Sequence, residues 1–437
     1  MYAFKPKLKF LDTEEFQREN DGLEELRLYL MDEAHALSFR LDEVKPFSLT
    51  MPMVTAASLP RKAQQGIDEL IREGKRELRI RLNKFVEKIR SGALEEPEEA
   101  QKAFAFLKLR FNALLDQLDI FADVISQRSE HHTGVWLSGL DALVQDALVI
   151  DAAGIPKAPL VCFLERGHGA AIRKARTRLP GGKSNPVGVI QVPRERMVSN
   201  GIASSLVHEV GHQGAAMLEI LKPLKKALYE KGVADPGRAL AWQLFDRWIS
   251  EIVADYWAVA MLGVCGTTGL MGVVSLPRYF MFRIQLDDPH PFPWIRVKIS
   301  LAFGRLLYPD EQWERLEHLW HQIYPTDGLT EDQKKILGVL EAVMPEFTGL
   351  IAGFRLPLLQ GQPLNTLFPI SRRQPNHLRE IFQKWKQSPS LARKARPSLV
   401  FAVIGQARTD RKISPGEENK WLRQILTFWA QQHHVIH

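Results

Sequence analysis

The sequence predicts a mainly α-helical protein with a small α+β core set between helical flanking domains. Over residues 14–128, and again beyond Pro309, apolar residues recur at three- and four-residue steps among Glu, Lys and Arg, the period of an amphipathic helix. Between Trp136 and Tyr308 the texture changes to short β-branched runs, Leu160 to Leu164 and Val187 to Val192, separated by loops containing Gly and Pro. The divisions expected are an N-terminal helical region over 1–134, a core domain over 135–309 and a C-terminal helical, basic region over 310–437.

In the first region Leu23, Leu26, Leu28 and Leu30 mark one helix, and Ile67, Leu70, Ile71, Leu78, Leu82, Phe85 and Ile89 a second. A third lies in AFAFLKLRFNALLDQLDIFADVI. Pro46, Pro52 and Pro60 punctuate the first connection, and Ser91-Gly92 with Pro97 the next. Beyond Pro309 come DEQWERLEHLWHQIY and TEDQKKILGVLEAVM, the latter with Thr330 and Gln333 at capping-box spacing. The sequence has no internal repeat and no low-complexity stretch.

The 437 residues are 45% hydrophobic and 25% charged, enough to bury a sizeable core and unlike a disordered or collagenous chain. Only two cysteines occur, Cys162 and Cys265, so a metal here is held mainly by His and carboxylate, and a reducing, cytoplasmic setting is expected. Acidic residues scattered through the first thirty positions argue against a signal peptide. The longest uncharged run, Tyr256 to Pro277, contains four glycines and reads as a core helix followed by a Gly-rich turn, which makes a membrane role unexpected. Charge is uneven: the whole chain is +7, yet residues 355–437 carry 14 Lys and Arg against 4 Asp and Glu, or +10. That segment is a candidate surface for an acidic partner or nucleic acid, although no RNP-type aromatic and basic pattern accompanies it.

Chemistry is concentrated in residues 199–221, where His208-Glu209-Val210-Gly211-His212 lies in an amphipathic helical stretch. Histidines four apart on a helix share a face and can grip one cation, while Glu209 stands beside the metal. A hydrolytic zinc site needs three protein ligands and an open position. Glu251, on another apolar helix, can complete the set, and Asp255 one turn later can accept the remaining N–H of a ligand histidine. Asp288-Pro289-His290 and the following Arg296 offer groups suited to an oxyanion opposite a metal.

HEVGH, then SEIVAD, then DPHPFPWIR is similar to the gluzincin metallopeptidases, most closely the HtpX-like heat-shock proteases and CAAX prenyl proteases. The resemblance covers about ninety residues, 205–296. It implies a zincin-like core, zinc (Zn2+) ligands His208, His212 and Glu251, a catalytic Glu209, a supporting Asp255, and substrate or transition-state contacts from His290 and Arg296. Peptide or protein substrates follow from it. Those peptidases have clear transmembrane helices where this chain has a single doubtful run, so membrane substrates are not implied. On this reading Glu209 takes the proton of a metal-activated water, and His290 or Arg296 helps the metal stabilise the oxyanion. Val187 to Val192 is expected to be an edge strand along the cleft, pairing with an extended peptide.

Two rival readings stand beside it: a partner-binding or scaffold protein with a structural or degenerate metal site, and a peptidase recruited to nucleic acid by its basic C-terminal region. Other motifs fall away. Leu179 to Ser184 ends like a phosphate-binding loop but lacks its first glycine, Thr177 standing there. His131-His132, and His318 with His321, read as surface histidines, and the two cysteines as small core residues.

Overall fold

The computed structural model describes residues 13–129, 131–165, 171–193, 201–285 and 287–435. Residues 1–12, read above for a leader, and Ser199-Asn200 at the head of the motif segment lie outside them. The chain is mostly helical with a small three-stranded sheet, as the apolar periodicities predict.

Two compact units form. One takes residues up to Pro52, Gln65–Asp123 and Arg178–Lys183. Its frame is three long helices, α1 (Thr13–Glu43), α2 (Arg61–Arg90) and α3 (Pro97–Ser126). Leu78, Leu82, Phe85 and Ile89 form the stripe of α2 and pack with Leu37 and Leu41 of α1 and with Phe104 and Phe111 of α3. Pro97 opens α3 and Glu98 and Glu99 follow in its first turn, where acidic charge suits the helix dipole. In the 178–183 segment Lys183 lies 3.1 Å from Glu77 and 3.5 Å from Glu73, so the loop that ends like a phosphate-binding motif spends its lysine on carboxylates.

The other unit takes Met53–Gln64, Val124–Thr177 and Ser184 onward. It contains α4 (His131–Ala147), β1 (Leu160–Glu165), β2 (Ala171–Arg173), β3 (Gly188–Pro193), α5 (Gly201–Met217), α6 (Leu221–Ala234), α7 (Ala239–Leu262) and α8 (Val264–Val274). Then come α9 (Pro293–Leu307), α10 (Gln312–Ile323), α11 (Glu331–Ala352), α12 (Pro375–Gln387), α13 (Pro397–Thr409) and α14 (Pro415–Val435). At its centre α7 is buried on nearly every side from Trp248 to Leu262. The apolar run from Tyr256 is two helices, α7 and α8, which turn at Gly263 with φ +59°. Among the described residues no helix is long and apolar enough to cross a membrane.

Helices on both sides of residue 309 share one core: Phe245 stacks on Phe347 at 3.9 Å, and Trp320 Nε1 donates to the Trp294 carbonyl. The division expected there is a change of local texture and not a break in packing. Among the later helices α10 and α11 pack on α9, α11 and α13 on α7, α12 on α13, and α14 on α4. Thr330 and Gln333 form the expected capping box, with Gln333 N donating to Thr330 Oγ1 and Gln333 Oε1 accepting from Thr330 N.

The sheet order is β1-β3-β2, with β1 parallel and β2 antiparallel to β3. This corrects the expectation that Val187 to Val192 is an edge strand. It lies in the middle, paired with Leu160–Glu165 on one side and Ala171–Arg173 on the other, with Val189, Ile190 and Val192 buried. The outer side of β1 is closed by side chains: Gln127 bonds both Leu164 N and Leu164 O, and Asp141 accepts from Cys162 N. Arg128 donates to Cys162 O, while the buried Arg128 guanidinium forks Asp141. The free rim among the described residues is therefore β2.

Candidate metal centre

The HEVGH helix and the SEIVAD helix approach closely because small residues lie between them. A Cβ on Gly211 would stand 2.8 Å from Ala254 Cα, and one on Gly214 would overlap the Trp257 ring. Two turns of α5 thereby face two turns of α7, and His208, His212, Ser250, Glu251 and Asp255 meet there.

His208 Nε2 lies 3.3 Å from Glu251 Oε2, and His212 Nε2 lies 3.3 Å from Glu251 Oε1. One donor atom from each of the three falls within 4.8 Å of the others, and among the described residues no other such group of three or more occurs. His318 and His321 do not form one: His318 shares a hydrogen bond with Gln322, and His321 lies 3.2 Å from Lys298 Nζ. Asp255 Oδ1 sits 2.7 Å from His208 Nδ1, which places a ring proton on that side and turns Nε2 toward Glu251. Ser250 Oγ lies 3.4 Å from His212 Nδ1 and supports the second ring similarly. Sequence reading passed over Ser250, whose only signal was its place next to Glu251.

Arg296 is oriented differently from the expectation. Its guanidinium forks Asp255, with Nε at 2.7 Å from Oδ2 and Nη2 at 2.9 Å from Oδ1, and reaches Glu251 Oε2 at 3.2 Å. It thus braces the two carboxylates. His290 stands at the mouth, 57% exposed, with Nε2 3.9 Å from Glu251 Oε1 and Nδ1 held by Asp288 Oδ1 at 2.9 Å. Glu209 is buried beside the cluster.

No family model, no curated protein and no solved structure matches the chain. The donor set itself therefore tests the fit of a metal. Two imidazole nitrogens and a carboxylate are the ligand types zinc takes, and each Nε2 lies 3.3 Å from a Glu251 oxygen, Oε2 for His208 and Oε1 for His212. Nδ1 partners on both rings complete the requirement for outward-facing Nε2 donors.

Without a metal the cluster is electrostatically taut. Burial is the largest single influence on His208 and opposes its charging, but Asp255 and Glu251 outweigh it and lift the pKa to about 9. Burial also works against the Glu251 carboxylate, yet hydrogen bonds from His208 and His212 and the charge of Arg296 hold it well below the usual range. Glu209 goes the other way, its pKa raised by burial despite both histidines and Arg296. These groups open on a cavity of about 500 Å³ whose wall includes Ala171 and Ile172 of β2, Lys174, and Leu270 and Val273 of α8.

Proposed function

We propose that the protein is a zinc-dependent metallopeptidase of gluzincin type, with a zincin-like core, hydrolysing peptide bonds in a peptide or protein substrate. The convergence of His208, His212 and Glu251 beside the buried Glu209 carries this reading. Bound zinc supplies a Lewis acid and brings the pKa of an attacking water toward neutrality. Glu209 accepts that water's proton and returns it to the leaving amine, a task suited to a carboxylate whose proton affinity burial has raised. His290, exposed on the open side and oriented by Asp288, donates to the developing oxyanion. Arg296, which also lines the cavity, positions Asp255 and Glu251.

An extended substrate pairs along β2, the strand that borders the cavity, and not along β3. The test is Glu209→Gln in zinc-loaded protein: zinc content stays and zinc-dependent peptide cleavage disappears. A variant that keeps both zinc and full hydrolytic activity refutes the catalytic role of Glu209.

A further inference from the structure

Leu270 and Val273 of α8 line the catalytic cavity; Thr268, Gly269, Gly272 and again Val273 line a second, larger cavity of about 1430 Å³. The two share the wall residue Val273, so α8 stands between the metal-site cavity and the larger one. The second cavity draws its charge from the C-terminal segment whose +10 excess stands out in the sequence.

Some of that charge is already matched. Arg379 lies 2.7 Å from Asp310 and 2.9 Å from Asp410, and Arg408 lies 3.3 Å from Glu418. Arg411 and Lys412 are exposed on the cavity wall and have no carboxylate partner among the described residues. Arg315 lies 3.8 Å from the largely exposed Glu311 and also acts on Asp310. Buried Gln312 accepts from Gln406 Nε2 with its Oε1, which leaves Gln312 Nε2 without an acceptor.

Arg411 also occupies an unusual backbone position. It follows the end of α13 with φ +55°, and Lys412 N bonds back to Ala407 O, a helix terminus that ordinarily takes glycine. A charged side chain is kept there against the backbone preference.

We propose that this basic cavity receives an acidic stretch of the polypeptide substrate while the scissile bond lies across α8 at the metal centre. The inference rests on the peptidase reading and adds its substrate class: chains with clustered Asp and Glu. Leu316 and Leu319 give the cavity apolar walls suited to peptide side chains between the acids. Phe382 is too buried to offer a face to a nucleobase, so the cavity lacks the stacking platform that single-stranded nucleic acid uses.

The experiment compares two zinc-dependent cleavage substrates of identical scissile segment, one with an oligo-glutamate tail and one with an uncharged Gly/Ser tail. In parallel, labelled oligo-glutamate, oligo-lysine and a single-stranded oligonucleotide are titrated onto the whole protein. The glutamate tail is expected to raise kcat/KM about tenfold or more through KM, an advantage that shrinks with salt. The double variant Arg411→Gly, Lys412→Gln, whose glycine suits the left-handed backbone, brings the ratio between the two substrates to about one and weakens oligo-glutamate binding.

Equal cleavage of both tails by the wild-type protein, a tail advantage that survives the double variant, or binding of the oligonucleotide in preference to oligo-glutamate each overturns the inference. Absence of zinc-dependent cleavage of either substrate strikes the peptidase reading instead. In that case the oligo-glutamate titration on wild-type and variant protein still decides whether the cavity takes acidic peptide.

Discussion

Gly211 and Ala254 meet backbone to backbone: a methyl group on Gly211 would stand 2.8 Å from Ala254 Cα and 3.0 Å from its carbonyl oxygen. This contact lets the two histidines of α5 reach the two carboxylates of α7. Gly211→Ala is expected to destabilise the protein by about 1–3 kcal/mol and to weaken zinc binding, because the helices must part. Gly338→Ala, in α11 where the added methyl meets nothing within 4 Å, is expected to stabilise by about 0.5–1 kcal/mol. Thermal denaturation and zinc titration check both; wild-type zinc affinity in Gly211→Ala would disconnect the site from this contact.

Zinc uptake is expected to release a proton. Metal-free His208 titrates at about 9 and is protonated at neutral pH, while a ligand imidazole must be neutral. Apparent zinc affinity therefore rises as pH rises toward 9 and levels beyond it. The sign for metal-free stability is opposite: the raised pKa contributes fully below the unfolded value of about 6.5 and is lost as pH climbs through 9. Calorimetric titration in buffers of different ionisation enthalpy reads the proton directly, and no buffer dependence at pH 7 would contradict it. Asp255→Asn is expected to remove most of this release and to reduce zinc affinity about 10- to 100-fold.

His290 and Arg296 are expected to separate under mutation. His290→Ala lowers kcat by about 10²- to 10³-fold, the range for an oxyanion donor, with zinc affinity retained. Arg296→Met leaves Asp255 and Glu251 unbraced and acts first on zinc affinity. Zinc titration alongside steady-state kinetics distinguishes them, and a His290→Ala protein with unaltered kcat removes His290 from the chemistry.

Asp141→Asn is expected to destabilise by about 3–5 kcal/mol, since it strands the fully buried Arg128 without its carboxylate. Arg128→Met combined with Asp141→Leu is expected to cost less, because no charge is left buried. Denaturant unfolding of the three proteins gives the comparison; equal losses would show that the hydrogen bonds to Cys162, and not the charges, set the cost.

The grouping of His208, His212 and Glu251 was legible because their spacing is periodic. His208 and His212 four apart, and Glu251 and Asp255 four apart, each declare one face of a helix, and the fold had only to bring the two faces together. The long helices were legible for the same reason, as Leu78, Leu82, Phe85 and Ile89 illustrate. Strand order was not, because β3 owes its central position to partners distant in sequence, Leu160 to Glu165 on one side and Ala171 to Arg173 on the other. Nor was the orientation of Arg296: its sequence position permits contact with either substrate or carboxylates, and the charge of Asp255 decides. The division expected at 309 failed to appear because apolar stripes announce that a helix is buried without naming the surface that buries it.

The side-chain closure of β1 also governs how the sheet meets other chains. With Gln127, Arg128 and Asp141 occupying its far rim, lateral growth by docking of a foreign strand has, among the described residues, a single three-residue starting place, at β2. So short a ledge holds an incoming segment by few backbone bonds, which favours quick turnover of bound chains and gives fibrillar stacking little to build on.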